Sequence, residues 1–325
     1  MANARPSINL RLDTSVSLSS ASAGAPTPAP STDLASQPVR GGLLAQLREI
    51  VQDVWQYREL LFQLTRRDVR IRYKQAAMGF GWAVFMPIFV VAAGLLVRFA
   101  MAHFSGKQLD MGSIAGLAVK SLPWSFFVGS LGFATASLVG NSSLVSKIYF
   151  PREVLPLSAT LAQAFDTAIG SVAVTIGLAF LGVRPTLALL WVPVIALLTF
   201  AFVAAAGLFV GCANLFFRDV KYIVQVLLTF GIFFTPVFFE PAMFGTTGGR
   251  LMMLNPLAPM LEGLRLAVVD GHNLLLPLVV EGRGGQATLA WSPYYLAYGA
   301  AWSILGLLAS ALLFHRLESK FAEYI

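Results

Sequence analysis

The sequence predicts an all-α integral membrane protein. Three observations carry that reading. Of 325 residues, 57% are hydrophobic and only 12% charged; the mean hydropathy is +0.72; and six apolar stretches reach the roughly 20 residues an α-helix needs to cross the hydrocarbon core. Soluble domains carry about a quarter charged residues, so a single water-soluble core has no use for this much apolar surface. The net charge of +7 is read as topology rather than as affinity for nucleic acid, because cytoplasmic loops of membrane proteins are enriched in Lys and Arg. Cys212 is the only cysteine. It has no partner for an intramolecular disulfide, and no thiol pair exists for a metal cluster, so neither redox chemistry nor a structural zinc is expected.

Residues 1–42 form a Ser-, Pro- and Ala-rich tail with no apolar run of signal-peptide length, and are expected to be a disordered cytoplasmic segment. Residues 43–77 read as an amphipathic interface helix. Leu43, Leu44, Leu47, Ile50, Val51 and Val54 fall on one helical face. The apolar block Leu60, Leu61, Phe62 and Leu64 then leads into the basic run Arg66, Arg67, Arg70, Arg72 and Lys74, suited to anionic headgroups. A plain juxtamembrane anchor would account for the same residues.

The six-span domain, residues 78–314, is placed at Met78 to Ala102, Leu122 to Val145, Pro156 to Leu181, Thr186 to Leu215, Tyr222 to Phe239 and Ala287 to Phe314. The last loop, Glu240 to Gln286, is the longest and holds two shorter apolar pieces, Leu251 to Leu261 and Leu274 to Val280, expected as re-entrant or interfacial helices. Residues 315–325 are the C-terminal tail. With the N-terminus inside, sixteen of the 23 Lys and Arg fall on the cytoplasmic side and seven outside, which places both termini in the cytoplasm.

Catalytic signatures are absent. Gly106-Lys107 is followed by Gln108 and lacks the opening glycine of a P-loop, so this chain does not hydrolyse ATP by itself; His103, His272 and His315 are scattered, and neither a Gly-x-Ser-x-Gly elbow nor a His-Glu-x-x-His zinc motif occurs. No metal site and no cofactor in this chain are expected.

Several segments resemble the polysaccharide-export permeases of the ABC-2 class, the membrane subunits for O-antigen, capsule and teichoic acid export. They are Tyr57-Arg58-Glu59-Leu60-Leu61, Arg66 to Gln75 running into Met78-Gly79-Phe80-Gly81-Trp82, Leu122-Pro123-Trp124-Ser125-Phe126-Phe127, Asn141 to Pro156, Phe216-Phe217-Arg218-Asp219-Val220, Thr235-Pro236-Val237 and Leu254-Asn255-Pro256-Leu257. Their order and spacing cover about residues 43 to 325. The resemblance implies an ABC-2 exporter fold and a homodimer in the bacterial inner membrane. It also implies two copies of a cognate ATPase using ATP and Mg, and a lipid-linked polysaccharide as substrate.

By that resemblance Ser146 to Leu155 is the segment that docks on the ATPase, with Lys147, Ile148, Tyr149, Phe150, Arg152 and Glu153 as candidate contacts. The residues agree independently, since charges flanking exposed aromatics need a partner or a headgroup layer; a loop packed on its own helices is the alternative. Arg218 and Asp219 form a second candidate turn, or an internal cap. Asp166 is the one acid inside a span, where a charge costs on the order of 2.5 to 3.5 kcal/mol. It must face protein or water, in a polar lining, in an interhelical bond or as a proton-coupling group. Sugar faces stack on aromatic rings, so Trp124, Phe127, Phe234, Tyr294 and Tyr298 are candidate pathway residues together with Asn141 and Asp166. Interfacial belts explain such rings equally well. Asn255 and Pro256 would narrow the outer mouth. An exporter of drugs or small lipids would share all of these features.

Overall fold

The computed structural model describes residues 42–74, 78–105, 110–147, 150–281 and 287–324. The expected N-terminal tail falls outside these residues, Gly42 excepted. The remainder is a helical bundle with one small β-ribbon. α1 (Leu43–Gln56) and α2 (Arg58–Tyr73) replace the single interface helix expected, parting at Tyr57 (φ −92°, ψ 19°). α3 (Gly81–Ser105), α4 (Met111–Gly140), α6 (Val154–Phe180), α7 (Trp191–Phe216) and α11 (Pro293–Leu317) are long; α5 (Ser142–Lys147) is a single short turn pair after α4. α8 (Val220–Phe234), α9 (Gly245–Met253) and α10 (Ala258–Val268) are shorter, and α12 (Phe321–Tyr324) closes the chain. Among the described residues, five helices are long and apolar enough to cross a membrane, the fourth including the 3₁₀ turn before α7.

The differences from expectation have local causes. The second span begins eleven residues early, at Met111, because Lys120 is fully buried within α4 rather than marking its outer end. The fifth, expected at Tyr222 to Phe239, is a helix of 15 residues that stops before Thr235-Pro236, since the residue preceding proline avoids the α region. The last begins at Pro293, with Ser292 as N-cap and proline at the first position. Residues 287–291 are instead strand β2 (Ala287–Trp291), paired antiparallel with β1 (Leu278–Glu281). Leu274 to Val280 is therefore a turn and a strand, not an interfacial helix; Pro277 denies it a helical interior and Val279 and Val280 favour an extended chain. The other expected piece becomes α9 and α10, joined at Leu254–Leu257. α10 is buried against α4, α7 and α11, as a short element at membrane depth has to be.

Helix packing rests on small residues. A Cβ on Gly211 would lie 2.9 Å from the Ala134 carbonyl oxygen, and one on Gly207 3.2 Å from the Ala134 Cβ. One turn apart on α7, these glycines let α4 approach closely enough for backbone contact. Near this crossing, Asn214 donates to the Thr135 carbonyl at 2.8 Å. Two apolar cores lie at the two ends. Leu64, Leu138, Phe150, Val154, Cys212, Phe314 and Phe321 pack at the α1–α2 end. Leu117, Trp124, Ile195, Phe238, Leu261 and Trp291 pack at the opposite end.

The chain leaving α8 is irregular, and cations donate to its carbonyls. Arg98 donates to the Phe238 carbonyl at 3.0 Å and Lys120 to the Phe239 carbonyl at 2.9 Å. Acids balance those cations. Arg98 pairs with Glu240 (3.2 Å), Lys120 with Glu262 (3.6 Å), and Arg265 with Glu262 (2.7 Å) and Asp270 (2.9 Å). Burial alone would raise the Glu240 pKa, but Arg265, Arg98 and Lys120 hold it below its usual 4.5.

Two outcomes are expected. Gly211→Leu should destabilise the bundle by about 1–3 kcal/mol through overpacking, seen as a lower melting temperature in detergent. In a double-mutant cycle, Lys120→Met and Glu262→Gln should each cost stability, and the pair together less than the sum, because each single change leaves a buried charge uncompensated; strict additivity would show that the two charges do not interact.

Candidate functional site

α2 carries the basic run, and its fate decides what the run does. Arg66, Arg70 and Lys74 are exposed, and Arg67 folds onto Asp68 at 2.9 Å. Arg72 turns inward. α2 packs along the first turns of α6, which brings the Arg72 guanidinium 2.7 Å from Asp166 Oδ2 and 2.8 Å from Gln163 Oε1. Tyr73 donates to Asp166 Oδ1 at 2.5 Å. Burial and the Asp166 carboxylate raise the Tyr73 pKa well above the ordinary tyrosine range, which keeps its hydroxyl a donor. The guanidinium also lies over the Phe133 ring of α4, 3.7 Å from its centroid. Farther back, Ser158 donates to Asp68 at 3.2 Å. Asp166 lies twelve residues into α6, roughly 18 Å at 1.5 Å per residue, so the last turn of α2 reaches well along a spanning helix.

The segment after α5 is placed differently from its sequence reading. Ile148, Tyr149 and the Lys147 side chain lie outside what the structure describes. Phe150 is not exposed: it is buried in the core at this end with Leu64, Val145 and Phe314. Arg152 donates through its guanidinium to the Glu318 carbonyl, and its amide donates to Glu318 Oε1 at 3.0 Å. Glu153 is buried. The segment is thus fastened to the end of α11. α1 joins it there, through Arg316 to Gln46 at 3.2 Å. Within α1, burial and the neighbouring Glu49 and Glu153 raise the Asp53 pKa, against the opposing charge of His315. Arg218 and Asp219 are exposed in the turn between α7 and α8, and the Asp219 carbonyl accepts from the amides of Tyr222 and Ile223.

The candidate pathway residues do not form one surface. Trp124 presents no face to a pathway, being 4% exposed in the core and packed against Gly231. Phe127 is half-buried beside it, ring centroids 5.7 Å apart. Asn141 ends α4 and donates to the Ser137 carbonyl. The Asp166 carboxylate is taken up by Arg72 and Tyr73. Phe234 and Tyr294 are open, at 74% and 84% exposed. Tyr298 donates to the Leu254 carbonyl at 2.7 Å. Asn255 donates to Thr235 Oγ1 at 2.9 Å and accepts from the Leu257 amide at 3.0 Å, so Asn255-Pro256 ties the α9–α10 turn to the break after α8.

Sequence reasoning missed the partner of Asp166 and the whole cluster of Arg98, Lys120, Glu240, Glu262, Arg265 and Asp270. The signal was present in outline: an acid in an apolar span requires a cation, but Arg72 lies 94 residues away in the chain, so spacing alone did not name it.

Comparisons with known proteins bear on this geometry. Residues 59–269, from the second residue of α2 through α10, match the family described as ABC-2 type transporter. The chain is 27% identical over 228 residues to an O-antigen export system permease protein RfbA of Myxococcus xanthus, covering 69% of this chain and 85% of the relative. Two proteins of the same name from Klebsiella pneumoniae are 26% identical over 66% of this chain and 81% of their own, and 24% identical over 82% and 95%. The α2 that grips Asp166 and the broken segment held by Arg98 and Lys120 both fall inside the matched region, and the chain belongs to the ABC-2 type transporter family.

Proposed function

We propose that this chain is the membrane subunit of an ATP-driven exporter that moves a lipid-linked polysaccharide, such as an O-antigen, capsular or teichoic polymer, across the bacterial cytoplasmic membrane. Two copies pair, both termini face the cytoplasm, and two ATPase chains that use ATP and Mg2+ bind at the α1–α2 end. The substrate class is supported by the names of the relatives, matched over most of their own length. The orientation is supported by the basic run on α2.

The observation that carries the transport reading is the clamp of Arg72 and Tyr73 on Asp166. A push on the α1–α2 end does not dissipate in a floating surface helix; it reaches α6 through an ion pair and α4 through Phe133. The segment at Phe150 to Glu153, fastened to α11, offers a second path for the same push. Pairing is supported by α8, where Tyr222, Ile223, Val226, Leu227, Phe230, Phe233 and Phe234 are all exposed. So long an apolar face belongs against lipid or against another copy. In the dimer, Phe234 and its neighbours and the Asn255-Pro256 turn would border the pathway.

Deleting the gene should leave lipid-linked polymer inside the cell and remove it from the surface. Normal surface polymer, in a strain with no redundant exporter, would overturn the reading; loss of drug efflux or small-lipid export with surface polymer intact would assign the chain to that other class of cargo. In the intact transporter, Arg72→Met or Asp166→Asn should lower export roughly tenfold, equivalent to about 1.4 kcal/mol, while membrane abundance is kept. The charge swap Arg72→Asp with Asp166→Arg should recover part of the loss. Full export in both single variants would show that the clamp transmits nothing.

A further inference from the structure

The α1–α2 end also holds a group of ionisable side chains where the segment before α6 meets the end of α11. Among the described residues, Glu153, His315 and Glu318 are the one set of His, Cys, Asp or Glu side chains placed to share a metal ion, with one ligand atom from each within 4.8 Å of the others. Folding creates this set. Glu153 precedes α6, and His315 and Glu318 close α11, so the chain positions gave no sign of it.

Two features set the cluster apart from an ordinary ion pair. Glu153 is 3% exposed, and neither of its carboxylate oxygens has a hydrogen-bond partner among the described residues. A buried charge left in that condition is costly. His315 stands between two carboxylates and is within hydrogen-bond length of neither: Nδ1 is 3.6 Å from Glu153 Oε1, and Nε2 is 3.8 Å from Glu49 Oε2. Arg152, the adjacent cation, does not neutralise the group, because its guanidinium is turned to the carbonyls of Glu318 and Val145.

We infer that Glu153, His315 and Glu318 bind one divalent transition-metal ion, with Zn2+ as its probe. Imidazole nitrogen and carboxylate oxygen are both zinc ligands, with metal–ligand bonds of about 2.0–2.2 Å, and three protein ligands leave water the fourth place. Tetrahedral ligands at that range stand roughly 3.3–3.6 Å apart, close to the present Glu153–His315 separation of 3.6 Å. The nitrogen ligand disfavours Mg2+ and Ca2+, which take oxygen. Supporting groups are in place too. Metal-bound histidines usually turn the other ring nitrogen to a carboxylate, and Glu49 occupies that position; the Arg152 amide orients Glu318. The ion would clip together the segment before α6, the end of α11 and, through Glu49, α1. These residues carry the inference whatever cargo the transporter moves.

The test uses the full chain, purified without a polyhistidine tag, stripped with chelator and held in lipid nanodiscs. Titration with ZnCl2 should reach one ion per chain by elemental analysis and calorimetry, and the melting temperature should rise by a few degrees. His315→Gln should abolish both responses. Glu153→Gln removes an unpaired buried charge and is free to change stability by itself, so its readout is loss of the zinc response and not the melting temperature. If neither Zn2+ nor Mn2+ binds the wild-type chain more tightly than the His315→Gln chain, the cluster is a histidine–carboxylate pair and the inference fails.

Discussion

A carboxylate inside a spanning helix is tolerated only with a partner, and here the partner comes from outside the span. Asp166 takes its cation and a hydroxyl from the last turn of α2, Arg72 and Tyr73. That requirement fixes the position of the whole N-terminal element. Were α2 to slide off α6, a desolvated acid would be left behind, a loss of several kcal/mol for a buried pair. α2 is therefore held as part of the bundle, although its exposed Arg66, Arg70 and Lys74 give it the composition of a surface helix.

The opposite end answers a different demand with the same chemistry. α8 ends at Phe234, and the chain passes through an irregular stretch before α9. Irregular backbone is admitted to a membrane domain only where protein satisfies it. Arg98 and Lys120 do so by donating to the Phe238 and Phe239 carbonyls, and Glu240 and Glu262 balance their charge. Each end of the bundle thus spends scarce charges on holding a non-spanning element against spanning ones.

Spans and punctuation were legible in the sequence because they depend on local composition. Runs of apolar residues gave the long helices and Pro256 marked the turn between α9 and α10, whereas the expected fifth span ran through Pro236, before which α8 ends. Pairing was not legible, since it depends on which residues meet. Lys120 lies just before the expected second span and is buried in α4. Phe150 read as an exposed docking ring and is core, because Pro151 and the anchoring of Arg152 to Glu318 turn the segment inward. Trp124 read as pathway and packs on Gly231. Residues 287–291 read as the start of a span, yet Ser292-Pro293 starts the helix later and frees them to pair as a strand. In each case an apolar or charged residue suited two environments, and only tertiary geometry chose between them.

The shortness of α8 has a consequence for the lipid around it. At 15 residues it rises roughly 22 Å, against about 30 Å of hydrocarbon. Lipid tails facing its exposed apolar side would have to compress to that height, at fractions of a kcal/mol for each ångström of mismatch. A second protein surface of the same height carries no such penalty. Bilayer thickness thereby becomes a force on this face, one that favours cover by protein over cover by lipid more strongly as the membrane thickens.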